Sequence, residues 1–102
     1  MPTPTVTVQI AGQAFKCSPL SAVDFKDAEA LYVVICVAPG GSWTVLDIGE
    51  GAELSPRKDQ WIPACDNQNV WVCVYPSLEP ESRHDLKEVI RKQYHLPISR
   101  QP

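Results

Sequence analysis

The run Leu31-Tyr32-Val33-Val34-Ile35-Cys36-Val37-Ala38 limits the folds open to this chain more than any other segment. It is rich in β-branched residues and apolar at odd and even positions alike. Side chains of a strand alternate between its two faces, so a strand apolar on both must be covered on both. Such a strand lies inside a layered domain. Pro39-Gly40-Gly41-Ser42 follows as turn sequence, and Trp43 to Ile48 reads as the returning strand of a hairpin. Val70 to Tyr75 is a second run with the same two-sided character and is predicted to join the same sheet.

The helices needed to cover that sheet are visible on its C-terminal side. Ser55-Pro56 is a helix-start signal, with proline where the first turn has no donor to lose, and Pro63 keeps that helix short. From about Glu79 to Tyr94, the residues Leu86, Val89, Ile90, Gln93 and Tyr94 recur at helical spacing, and Pro97 stops the helix. Asp66 to Asn69 is a polar turn. Before the hairpin, Thr7 to Lys16 alternates as an edge strand does, with Gly12 marking a turn or bulge. Pro19 to Ala30 reads as a short helix or turn with Ser21 as its cap, and Met1 to Thr5 as a fraying end. The expected architecture is α+β: a small central mixed or antiparallel sheet with flanking helices.

Composition narrows the class. The 102 residues are 44% hydrophobic and 21% charged, which suits one domain and excludes intrinsic disorder. No apolar run approaches the ~20 residues that span a bilayer, and the first residues lack the basic and apolar regions of a secretory leader. Cys17, Cys36, Cys65 and Cys73 have no C-x-x-C knuckle and no paired histidines, so zinc-finger spacing is missing. Two of them lie in apolar strands. They read as reduced core thiols acting as small hydrophobes, which implies a cytoplasmic protein. Neither a glycine-rich phosphate loop nor a serine or cysteine nucleophile motif is present, so no nucleotide cofactor is expected.

A few short motifs point further. Ala30-Leu31-Tyr32 opens the hairpin, Asp47-Ile48-Gly49 closes it, Arg57 stands eight residues after Gly49, and LKEVIRKQYHLP ends the chain's last helix. In this order they resemble the GIY-YIG nuclease family over about residues 30–97, with residues 1–29 an N-terminal extension and 1–102 a single domain. The resemblance implies cleavage of a nucleic-acid phosphodiester assisted by Mg²⁺ or another divalent metal ion. It makes Tyr32 the residue that positions or activates the attacking water, and Arg57 the clamp on the phosphate. Asp47 takes the place of the YIG tyrosine. Gly49, Lys58 and Lys87 fall on the substrate side, with Glu50 and Glu88 as the carboxylates nearest the metal position. The chemistry is sound, because a phosphate gaining charge at the transition state is stabilised by guanidinium and metal alike.

The departures are as informative as the matches. Asp47 puts an anion where an anionic phosphate should sit, and Glu50 adds a second charge close by. Alignment of the last helix puts Lys87 at the family's metal-binding glutamate, and a charged lysine has no lone pair to offer a metal. Glu88 lies nearly opposite the apolar face, where an i,i+4 pair with Lys92 is the plainer role. The net charge of −3 is uneven: residues 1–54 carry a balance of −4 and residues 55–102 a balance of +1. Any nucleic-acid contact would therefore use the second half. His84 and His95 have no ligand-pair spacing and read as surface groups, while Trp61 and Trp71 read as core anchors. Two functions stay open: a divergent metal-dependent nuclease with a weakened centre, or a catalytically inactive α+β module that binds a partner, nucleic acid or protein.

Overall fold

Strand β1 (Val6–Ile10) returns as β2 (Gln13–Pro19) through a two-residue turn, Ala11 and Gly12, at φ 52° and 79°. Positive φ at both positions defines a type I′ turn, whose twist matches that of the strands it joins. After a 3₁₀ turn at Leu20–Ala22 come β3 (Leu31–Val37), β4 (Trp43–Glu50), a second 3₁₀ turn at Ser55–Arg57 and helix α1 (Lys58–Ala64). Strand β5 (Asn69–Tyr75) and helix α2 (Pro80–Gln93) complete the order. These elements come from a computed structural model that describes residues 6–22, 30–50, 54–65, 69–75 and 79–94. The expected polar turn at 66–68, most of the segment between Pro19 and Ala30, and both chain ends lie outside the described residues.

The five strands form one antiparallel sheet in the order β1-β2-β5-β3-β4. Between β3 and β4 the register slips by one residue. Ile35 pairs with Val45 and Val34 with Asp47, which leaves Leu46 as the extra residue of a β-bulge. The hairpin loop is closed by Ala38 N–H to Ser42 O at 2.8 Å and Gly41 N–H to Ala38 O at 2.9 Å. Gly41 stands at φ 92°, a conformation that favours glycine.

Each face of the sheet has its own core, as the two-sided strands require. On one face Ile10, Phe15, Cys17, Leu31, Val33, Ile35, Val45, Ile48 and Cys73 pack with Ile90 of α2. On the other, Ala30, Tyr32, Val34, Leu46, Val70 and Val72 pack with Leu54, Trp61 and Cys65. Helix α2 starts with Pro80 in its first turn and carries Arg91 and Lys92 in its last, where cations favour the helix dipole. Its inner stripe is Arg83, Leu86, Ile90 and Tyr94, whereas Val89 is 44% exposed. The helix is thus rotated from the stripe expected from the apolar residues alone, because Arg83 is drawn inward by an ion pair.

The cysteines correct the sequence reading. Cys17 is bonded to Cys73 and Cys36 to Cys65, and no free thiol is present among the described residues. The type I′ turn makes Ile10–Gln13 a hydrogen-bonded pair, and alternation makes Val6–Cys17 one as well. Cys17 therefore turns its backbone groups toward β1 and faces Cys73 of β5 as a non-hydrogen-bonded pair. That pairing brings strands closest, and the two Cα atoms are 3.8 Å apart. Spacing along the chain could not reveal this, since β2 and β5 become neighbours only in the folded sheet. The argument for a cytoplasmic address rested on reduced thiols and loses its basis. No helix among the described residues is long and apolar enough to cross a membrane.

Candidate functional site

The bulge at Leu46 decides where Asp47 points. In a regular strand Val45 and Asp47 would share one face and Leu46 and Ile48 the other. The extra residue instead keeps Val45 and Ile48 in the α2-side core and turns both Leu46 and Asp47 toward α1. Asp47 is fully buried there, and its carboxylate is saturated. Arg57 meets it with both arms of its fork, Nε to Oδ2 at 2.9 Å and Nη2 to Oδ1 at 3.0 Å. Trp61 Nε1–H donates to Oδ2 at 2.9 Å and Ile48 N–H to Oδ1 at 2.8 Å. Arg57 also donates to the Ile48 carbonyl at 3.3 Å. A two-pronged guanidinium–carboxylate pair is among the strongest polar contacts available to a protein, and here one partner is sealed from water.

This node explains how a helix as short as α1 holds its place. Seven residues are too few for stable helicity alone. Its N-terminal side is tied to β4 through Arg57 and Trp61, and its C-terminal cap, Cys65, is bonded to Cys36 of β3. Pro56 puts Arg57 in a 3₁₀ turn immediately before α1, so the guanidinium reaches back across the sheet edge instead of projecting from the helix.

The other expected site residues divide between the two faces. Tyr32 is 3% exposed, pairs with Gly49 across the β3–β4 ladder, and belongs to the core that contains Trp61. Tyr32, Gly49, Asp47 and Arg57 therefore share the α1 side. Glu50 pairs with Leu31 on the α2 side, where Arg83 Nε–H donates to its Oε1 at 3.0 Å. Arg83 is itself 8% exposed. Lys58 is exposed at the start of α1, and Lys87 and Glu88 are half-buried on α2, one turn beyond Arg83. Trp61 is a core anchor and more, since its indole N–H is one of the four donors on Asp47. His84 is exposed and borders a shallow depression with Pro80, Glu81 and Asp85.

The donor set does not fit a divalent ion. Both oxygens of Asp47 are bonded to cationic and N–H donors, Glu50 accepts from Arg83, and Lys87 stands at the position the resemblance gives to the metal ligand. Among the described residues no three His, Cys, Asp or Glu side chains converge on one point. Sequence reasoning placed Arg57 and Asp47 close together but missed Trp61 as a further donor to Asp47 and Arg83 as the partner of Glu50. The signal for Arg83 was present: it stands three residues before Leu86 and seven before Ile90, on the buried stripe. Comparison of the chain with protein-family models, with curated proteins and with solved structures returned no match.

Proposed function

We propose that this chain is a catalytically silent domain of GIY-YIG-like descent that works by binding a partner protein. The observation that carries this reading is the closed Asp47–Arg57 pair. A phosphate clamp must present its guanidinium to the substrate, whereas both prongs of this one are taken by a buried carboxylate. Turning Arg57 toward a phosphate would strand a charge in the core, which costs several kcal/mol. The order hairpin, arginine-bearing turn and helix, third strand, closing helix supports the descent. A protein partner is favoured over nucleic acid because Arg57 and Arg83, two of the basic groups that gave the second half its positive balance, are neutralised internally. The paired cysteines favour an oxidising compartment over the cytoplasm.

A retained metal-dependent nuclease is the second reading, and one observation favours it: Tyr32 lies on the same face of the sheet as Arg57. Incubation with supercoiled plasmid in Mg²⁺ or Mn²⁺ separates the two. The binding-module reading expects no nicking and the same unfolding midpoint in divalent metal as in chelator. Metal-dependent nicking that disappears in Tyr32→Phe would overturn it.

A further inference from the structure

The sheet ends in two very different edges. β4 carries the bulge at Leu46, ends at Glu50 and has α2 packed on it, all features that discourage another strand from pairing. β1 has neither a bulge nor a charged end, although Val8 and Ile10 on one of its faces belong to the core that holds Ile90 of α2. Its residues Val6-Thr7-Val8-Gln9-Ile10 contain no charge and no proline, its register with β2 is regular throughout, and Val6 is 49% exposed. The turn at Ala11-Gly12 fixes which backbone groups of β1 are not used in pairing with β2. Val6, Val8 and Ile10 bond inward to β2, so the N–H and C=O groups of Thr7 and Gln9 face outward.

We propose that β1 pairs with β1 of a second copy of this chain, antiparallel about a two-fold axis at Val8, to make one continuous sheet across a dimer. The strand is complementary to itself in that arrangement. Thr7 of each copy faces Gln9 of the other, and these are the residues whose backbone groups point outward, so hydrogen-bonded pairs form on both sides of the axis. Val8 meets Val8 as the close, non-hydrogen-bonded pair on the axis. Val6 meets Ile10 on the face that already carries the α2-side core, so the apolar surface of Val6 is covered. Thr7 and Gln9 meet on the opposite, polar face. Neither β1 strand carries a charge to set against its like across the axis, and the symmetry is the closed two-fold kind that ends growth at two copies. This inference is independent of the ancestry and catalytic state proposed above.

Sedimentation equilibrium up to about 1 mM chain, the range for a small interface, tests it with two variants. The parent chain should rise toward twice its monomer mass with concentration. Gln9→Pro removes an outward N–H without touching a β1–β2 hydrogen bond. It should remain monomeric with its unfolding midpoint unchanged. The double substitution Thr7→Glu with Gln9→Lys puts opposite charges directly across the axis and should tighten association about fivefold at low salt. A parent chain that stays monomeric at the highest concentration overturns the proposal, as does association unaffected by Gln9→Pro. If Gln9→Pro fails to fold, the double variant decides alone, and association equal to that of the parent chain overturns the proposal.

Discussion

Asp47 is the residue on which the functional reading turns. As a letter in the sequence it is an acid beside an arginine ten positions later, a pairing that on a surface contributes little. Burial changes the magnitude. With Asp47 at 0% exposure, removal of Arg57 leaves a carboxylate in the core with only Trp61 and Ile48 as donors. Arg57→Ala should therefore cost about 3 kcal/mol of unfolding free energy, and Asp47→Ala a similar amount. The double variant should cost clearly less than the two together, because neither charge is then left alone. Denaturant unfolding of the four proteins of this cycle checks the coupling. Strictly additive costs would mean that the pair is not the node described here. An arginine kept for catalysis would instead leave stability unchanged when removed.

Most elements were legible because their signals are local. The two-sided strands, the Pro39–Ser42 turn and the two helices depend on neighbours within a few residues, although Pro63, expected to limit α1, lies inside it, and Pro97 is outside the described residues. Gly12 marked a turn, and the turn is there, but its other residue is Ala11, held at φ 52° where a β-carbon is unfavourable. Ala11→Asn or Ala11→Gly should stabilise the chain by about 0.5–1 kcal/mol, read as a rise in the unfolding midpoint. The bulge at Leu46 was not legible. Val45, Leu46, Asp47 and Ile48 alternate in no way that marks an extra residue, and the slip is selected by burying Val45 and Ile48 together on the α2 side.

In the whole molecule, the disulfides join outlying parts to the central strands, one bridge on each face. Cys17–Cys73 ties the β1–β2 hairpin to β5, and Cys36–Cys65 ties α1 to β3, across separations of 56 and 29 residues. In the chain-entropy account, loops of that size are each worth roughly 4 kcal/mol. Losing both removes an amount comparable with the ~5–15 kcal/mol total of an ordinary domain. Unfolded without reductant, the protein should take up no alkylating reagent by mass spectrometry. With reductant, it should unfold at much lower denaturant. Alkylation of all four cysteines before reduction would restore the reading of them as reduced thiols.

Local chemistry was enough to establish the strands, their two covered faces, the hairpin turn and the α+β class, because apolar periodicity and turn residues act over a few positions. Whether a cysteine is a thiol or half of a bridge depends on which strands become neighbours. Whether Asp47 and Arg57 form a site or a structural bond depends on burial and on one extra residue in β4. Both are outcomes of packing between segments far apart in the chain. Only the assembled sheet specifies which side chains are brought within bonding distance and which are removed from water.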